Sequence, residues 1–150
     1  MIVNVESSAI AGEIDIAATP EAVFQALTDP EQLAAWWGDD AMYRTFNWKL
    51  DLRVGGAWSC EAKGKDGNLG SVDGVFVEVD PPRVLAYTWN PSWDDIGATK
   101  VRYTLRPIES GTRVSIVHDG FGPHMESLQG HAEGWTRVLV WLDRYLAEKS

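Results

Sequence analysis

Residues 14–38 read IDIAATPEAVFQALTDPEQLAAWWG, and this stretch decides how the chain begins to fold. Apolar and polar residues alternate across positions 6–17, which predicts a half-buried strand. Thr19 is a good helix N-cap, and the proline after it suits the first helical position. Pro30 opens another short helix, which Gly38 ends. The stretch therefore predicts one strand followed directly by two short helices.

Beyond this stretch the chain alternates again between apolar and polar residues, from position 46 to position 118. Residues typical of turns, mainly Gly, Pro, Asn and Asp, separate the alternating segments. Consecutive strands joined by short turns favour an antiparallel meander. The last part of the chain has helical spacing, and its apolar stripe consists of Trp135, Val138, Leu139, Leu142 and Leu146.

These elements predict an α+β fold with a curved antiparallel sheet wrapped around a long C-terminal helix, and two short helices after the first strand. We expect residues 1–150 to form a single domain. Strand alternation predicts which side chains point inward, between the sheet and the long helix. This inward set is Ile14, Trp58, Val77, Tyr87, Trp89, Tyr103, Ile116 and His118, facing Trp135 and Leu139.

Composition and charge exclude several classes of protein. The chain has 13 basic and 22 acidic residues and a formal charge of −9, which argues against binding to nucleic acid or to an anionic membrane surface. The single cysteine, Cys60, excludes an internal disulfide and fits a reducing compartment. The first residues lack the features of a signal peptide, and no apolar run is long enough to span a membrane. We expect a cytoplasmic location.

Four segments and one dipeptide of the terminal helix carry a resemblance to a known family. The segments are residues 14–38, residues 51–60 (DLRVGGAWSC), residues 74–89 (GVFVEVDPPRVLAYTW) and residues 111–121 (GTRVSIVHDGF), and the dipeptide is Gly134-Trp135. Their order and spacing resemble the helix-grip fold of the START-like (SRPBCC) superfamily. Within it, the chain is most similar to the family named after the activator of the heat-shock protein 90 ATPase. The resemblance covers nearly the whole chain.

The resemblance implies a deep, mainly apolar cavity between the sheet and the long helix. Members of the superfamily bind hydrophobic small molecules, bind protein partners or, in some branches, catalyse cyclisations. For this chain we predict ligand contacts from the inward aromatic residues and their neighbours, namely Trp37, Trp58, Tyr87, Trp89, Tyr103, His118, Trp135 and Leu139. Two adjacent Trp cannot share one helix face, so we expect one to pack inward and the other to lie at the mouth of the cavity or on a partner surface, and we assign Trp37 to the mouth. The loop around Trp93 is a second candidate for the rim.

His118 is the most informative polar residue because alternation points it inward. It could contact a ligand, act as a general acid or base, or be a core histidine whose ring is satisfied by a backbone carbonyl. Three histidines lie between positions 118 and 131, but their spacing matches no metal motif, and we predict neither a metal nor a cofactor. We interpret Cys60 as a buried packing residue, and we assign no catalytic residue.

The sequence thus favours the binding of a small hydrophobic or aromatic molecule. A role in the stress response is one biological function that such a binding protein could serve. One alternative is a chaperone-associated or other protein-interaction module. The other alternative is a cyclase-type enzyme that uses His118 as acid or base. This alternative is weaker because the sequence contains no complete set of catalytic residues. The chain could be a monomer or a homodimer, since an exposed edge strand can pair with a second copy.

Overall fold

The computed structural model describes residues 1–149. Its elements, in chain order, are β1 (Ile2–Glu6), β2 (Ala9–Ile16), α1 (Pro20–Thr28), α2 (Pro30–Trp36), β3 (Gly38–Asp39), β4 (Tyr43–Leu50), β5 (Ala57–Gly64), β6 (Leu69–Asp80), β7 (Val84–Pro91), β8 (Thr99–Ile108), β9 (Gly111–Asp119) and α3 (Met125–Lys149).

The strands form one antiparallel sheet in the spatial order β1-β2-β9-β8-β7-β6-β5-β4-β3. From β3 to β9, each strand pairs with the next one along the chain, which confirms the predicted meander. β2 pairs with β9, so the α1–α2 pair connects strands that lie far apart in the sheet. The helix α3 packs across the same sheet, which gives the predicted helix-grip fold. Within residues 1–149, no helix is long and apolar enough to cross a membrane.

The two short helices form where the sequence predicts them, and their caps explain why. Thr19 caps α1 by accepting a hydrogen bond from the Ala22 amide at 3.1 Å. Asp29 ends α1 and caps α2, since its carboxylate accepts from the Glu31 amide at 3.1 Å. Gly38 follows α2 with a φ of +129°, a conformation that side chains disfavour. This sharp exit turns the chain into β3 and β4, one wall of the cavity described below.

The N-terminal segment differs from the prediction of one strand over residues 6–17. It forms a hairpin of β1 and β2, with Glu6 paired to Ala9. Ser7 and Ser8 make the two-residue turn with φ values of +52° and +64°, as a primed hairpin turn requires. Such turns usually contain Asn-Gly or Asp-Gly, so Ser-Ser gave no signal for this one. The added strand β1 lies at the edge of the sheet.

The inward set is confirmed at every position except Val77, for which the prediction was wrong. Val77 is 41% exposed, whereas its neighbour Phe76 is 1% exposed. The inward face of β6 carries Val72, Gly74 and Phe76. Val75 and Val77 lie on the opposite face and are exposed. Position 74 requires glycine because a Cβ there would lie 1.9 Å from the Thr88 carbonyl oxygen and 2.4 Å from Trp58 Nε1.

The core lies between the concave face of the sheet and α3. The predicted stripe of α3 is confirmed, and Leu128 and Trp141 extend it. The buried residues of this helix are Leu128, Trp135, Val138, Leu139, Trp141, Leu142 and Leu146. Between Leu128 and Trp135, no residue of α3 is fully buried.

Candidate functional site

A cavity of about 550 Å³ lies between the sheet and the N-terminal half of α3. Its sheet wall comes from β4, β5, β6 and the end of β7, and its helix wall runs from Glu126 to Val138. Two glycines of α3, Gly130 and Gly134, face the cavity. They lie one helical turn apart, and small residues at that spacing keep one helix face free of side chains. The cavity therefore exists in part because α3 carries no bulk there.

Trp37 lies at the centre of an aromatic wall. Its ring centroid is 5.6 Å from that of Trp48, 5.9 Å from that of Trp89 and 6.1 Å from that of Trp135. The residue is held at the backbone as well, because its carbonyl accepts a hydrogen bond from Thr45 Oγ1 at 2.6 Å.

Trp37 is buried, which makes the predicted position at the mouth wrong. Its neighbour Trp36 is also buried and donates to the Ala26 carbonyl at 2.8 Å, so both rings pack inward.

The mouth of the cavity is formed instead by the β6 start and the loop after β7. Leu69 and Trp93 line the cavity and are 72% and 58% exposed. The ring of Trp93 lies against Gly70, where a Cβ would be 3.1 Å from Trp93 Cε3. This is the rim position that the sequence indicated for the Trp93 loop.

The eight predicted contact residues divide into two groups. Trp37, Trp89 and Trp135 line the cavity. The other five lie deeper in the core and do not line it: Trp58, Tyr87, Tyr103, His118 and Leu139. Strand alternation identifies the inward face correctly, but that face is longer than the cavity. Where α3 sits close to the sheet, inward residues pack against each other and leave no space.

The deeper aromatic residues form a second, nearly filled space. Trp58, Tyr87 and Tyr103 surround about 10 Å³, roughly the room of one water molecule. The Tyr87 and Tyr103 hydroxyl oxygens lie 3.3 Å apart, and burial raises the pKa of both phenols. Trp58 Nε1 crosses Gly74 to donate to the Thr88 carbonyl at 3.1 Å. This group acts as a packed floor beneath the aromatic wall.

His118 is completely buried, and both of its ring nitrogens have partners. Trp135 Nε1 donates to His118 Nδ1 at 3.0 Å, so the ring proton sits on Nε2. His118 Nε2 then donates to Thr99 Oγ1 at 2.6 Å, and that hydroxyl donates to the Trp89 carbonyl. Burial first, and then the nearby His131, lower the pKa of His118 to about 3. The ring is thus a neutral connection between α3 and the sheet.

A second histidine, which the sequence reasoning did not select, lines the cavity itself. Trp89 Nε1 donates to His131 Nε2 at 3.1 Å, and His131 Nδ1 donates to the Ser127 carbonyl at 2.8 Å. The Ser127 hydroxyl donates to the Asp94 carboxylate, which ties α3 to the loop at the mouth. The helical spacing of Ser127 and His131, one turn apart and in line with Trp135, was the available signal.

Tyr43 and Arg137 are the other polar residues missed from the sequence. The Tyr43 hydroxyl oxygen accepts from Trp37 Nε1 at 3.3 Å. Burial raises the pKa of Tyr43, while the Trp37 hydrogen bond and the positive charge of Arg137 oppose that rise. Arg137 lines the cavity, and its Nε is buried without a hydrogen-bond partner among the described residues. Arg137 follows Gly130 and Gly134 on the same face of α3, and that spacing was its signal.

Cys60 lines the cavity from β5 and is almost fully buried. Burial raises the pKa of its thiol to about 12. A protonated, buried thiol is a poor nucleophile, which agrees with a packing role. Among residues 1–149, no three His, Cys, Asp or Glu side chains come together as metal ligands, and the three histidines do not converge on one point.

A curved antiparallel sheet gripping one long helix, with an aromatic-walled cavity between them, defines a START-like helix-grip protein. The chain belongs, within this class, to the family described as activator of Hsp90 ATPase homolog 1-like protein, whose model matches residues 17–147. Comparison with curated proteins gives no match.

Solved bacterial structures share the fold over nearly their full length. The AHSA1 protein of Silicibacter pomeroyi is 29% identical with a TM-score of 0.79, and the match covers 95% of this chain and 99% of that one. The AHSA1-like protein of Aeromonas hydrophila is 28% identical with a TM-score of 0.78, covering 94% and 93%. A protein of Chromobacterium violaceum is 28% identical with a TM-score of 0.79, covering 91% and 96%.

Proposed function

We propose that this protein binds a small hydrophobic or aromatic molecule in the cavity between β4–β7 and α3. The observation that carries the proposal is the wall formed by Trp37, Trp89 and Trp135 around about 550 Å³ of space. Ligand cavities of about 300–1,000 Å³ with mainly apolar and aromatic linings are typical of small-molecule sites. A cytoplasmic location is part of the same proposal.

The aromatic wall is prepared for a ligand before one arrives. Each of the three indole N–H groups already has an acceptor inside the protein, namely Tyr43, His131 and His118. The wall therefore presents ring faces and edges and needs no hydrogen bond from the ligand. Side chains that are already ordered lose little further entropy on binding, which favours affinity.

Native mass spectrometry of the protein purified from its own host tests the proposal. We expect a small-molecule adduct that is released on denaturation. Gly134→Leu places a side chain in the cavity and should abolish the adduct, whereas Glu133→Leu places the same residue on the exposed side of α3 and should retain it. An adduct that survives Gly134→Leu, or absence of any adduct in the wild type, would contradict the proposal.

The family match favours a second candidate, a chaperone-associated interaction. The family description names an activator of the Hsp90 ATPase. If the chain acts in this way, the ATP hydrolysis rate of an Hsp90-type chaperone from the same host should rise when this protein is added. The net charge of −9 makes such an association sensitive to salt. An unchanged rate at low ionic strength would contradict this candidate.

The geometry does not favour the cyclase reading with His118 as acid or base. His118 has no exposed surface, does not line the cavity, and has both nitrogens engaged by Trp135 and Thr99. A general acid or base must reach the proton that it transfers, directly or through one water. Its position behind the wall supports a structural role instead.

A further inference from the structure

Arg137 is a cation on the wall of an otherwise mainly apolar cavity. Its Nε has no hydrogen-bond partner among the described residues although it is buried, and its guanidinium forms no ion pair with any carboxylate of residues 1–149. A buried polar group without a partner is costly, and more so when it is charged. In native structures such a group is completed by a bound molecule, an ion or an ordered water, or it belongs to a functional site.

The surroundings of Arg137 keep its guanidinium free. A Cβ on Gly134 would lie 4.0 Å from Arg137 Nη2, so the side chain runs back along α3 over the glycine towards the cavity. The two carboxylates that line the cavity lie near the start of α3, because Glu126 is in its first turn and Asp94 accepts a hydrogen bond from Ser127. Glu126 precedes Arg137 by eleven positions, or about 16 Å along the helix axis.

Tyr43 supplies a second donor on the same side of the cavity. Its hydroxyl oxygen accepts from Trp37 Nε1, and this leaves its own proton free to donate. The positive charge of Arg137 opposes the rise in the pKa of Tyr43, so the two groups lie within electrostatic range of each other, and Asp39 lies in range with the opposite effect. A carboxylate accepts hydrogen bonds from a guanidinium and a phenol together, whereas an alcohol or a ketone gains much less from the charge.

We propose that the ligand is an amphipathic carboxylic acid whose carboxylate pairs with Arg137 and Tyr43, and whose apolar body lies along Trp37, Trp89 and Trp135. This inference rests on the proposed function and specifies its ligand class. Asp94 and Glu126 also line the cavity and would repel a carboxylate, so inside the cavity the acid group is favoured beside Arg137 and away from these two side chains. The overall charge of −9 is screened beyond about 8 Å at physiological salt, so the local cation dominates inside.

Calorimetric titration with matched probes tests the inference. The probes are 2-naphthylacetate and its neutral counterpart 2-(2-naphthyl)ethanol, and then dodecanoate and dodecan-1-ol. In each pair the apolar body is the same, so the difference in affinity reports on the charged group alone. For at least one pair we expect the acid to bind about 10-fold more tightly or better, the effect of one hydrogen-bonded charge pair.

Arg137→Gln removes the cation and should bring acid and alcohol to within about twofold of each other, mainly through the loss of affinity for the acid. Arg144→Gln is the matched control, because it makes the same change of charge on an exposed position of the same helix. It should leave the preference for the acid intact. Arg137→Gln should unfold at no lower temperature than the wild type, because it removes a buried donor that has no partner.

Equal binding of acid and alcohol by the wild type, or a preference that survives Arg137→Gln, would overturn the inference while leaving the proposed function standing. Loss of the preference in Arg144→Gln would overturn it as well, since the effect would then come from net charge. If no probe of either pair binds at millimolar concentration, the inference and the proposed function are both contradicted.

Discussion

Trp135 of α3 and His118 of β9 are joined by a hydrogen bond of 3.0 Å from the indole Nε1 to the imidazole Nδ1. The bond crosses from helix to sheet in the fully buried core, and its direction assigns the ring proton to His118 Nε2. Trp135 therefore has two functions, since its ring also lines the cavity. The position of this part of the cavity wall and the tautomer of the core histidine are therefore linked through one hydrogen bond.

The first prediction concerns pH. The pKa of His118 is about 3 in the folded protein against 6.5 when unperturbed, so between these values the unfolded chain binds one proton more. Stability from this group is complete above pH 6.5 and falls as pH decreases towards 3. From pH 7 to pH 5 we expect a loss of about 2 kcal/mol in the free energy of unfolding.

Urea denaturation at both pH values measures this loss. His118→Asn keeps an acceptor for Trp135 but does not titrate, so its loss should be smaller than that of the wild type by the same amount. His124→Gln removes an exposed histidine and should behave like the wild type. An equal pH dependence in wild type and His118→Asn would refute the assignment of a neutral His118.

The second prediction separates the two functions of Trp135. Trp135→Phe removes the indole donor and leaves His118 Nδ1 buried without a partner, which should cost about 1–3 kcal/mol of stability beyond the lost packing. Trp48→Phe is the control, since Trp48 also lines the cavity but donates at 3.0 Å to Thr45 Oγ1, which keeps its own bond to Trp37. Equal losses of unfolding free energy in the two variants would count against the helix-to-sheet bond.

The third prediction compares two glycines, Gly130 and Gly74, whose surroundings in the structure differ. A Cβ on Gly130 meets nothing within 4 Å, so Gly130→Ala should raise the free energy of unfolding by about 0.5–1 kcal/mol through helix propensity. Gly74→Ala should lower it by about 1–3 kcal/mol, because its Cβ would lie 2.4 Å from Trp58 Nε1. Thermal and urea unfolding measure both. A stabilising Gly74→Ala would mean that Trp58 does not cross β6 as described.

The fourth prediction concerns Cys60. With a pKa of about 12, only about one thiol in 10,000 is ionised at pH 8, and the side chain is 4% exposed. We expect Ellman's reagent to leave the native protein unmodified for minutes and to modify one thiol at once in urea. Immediate reaction of the native protein would show that the cavity admits the reagent as far as β5 and that the thiol is not held protonated.

Much of the fold could be predicted because its signals are local. The caps at Thr19 and Asp29 lie within three residues of the amides that they satisfy, and the stripe of α3 repeats within a few turns. The β1–β2 hairpin could not be predicted, since its turn is Ser7-Ser8 in place of the usual Asn-Gly. Val77 was placed inward because valines at alternate positions resemble a core face. The true inner face carries Gly74, whose role depends on Trp58, sixteen positions earlier.

The candidate site was less predictable than the fold. Trp37, Trp89 and Trp135 were selected and do line the cavity, but His118 lies one layer behind it. Arg137 and His131 were missed because neither belongs to the apolar stripe of α3. Both residues line the cavity on the part of α3 that carries the glycines. Small residues at helical spacing, considered together with the apolar ones, indicate that face.

Periodicity and capping predict the three helices with their caps, the meander and most of the inward face, because both act between residues close together in the chain. Which inward residues pack and which border open space follows from tertiary contacts. That choice depends on the curvature of the sheet and on the distance at which α3 stands from it, and both arise from contacts between distant parts of the chain. Trp58 and Trp89 both point inward, yet only Trp89 lies where the helix leaves room.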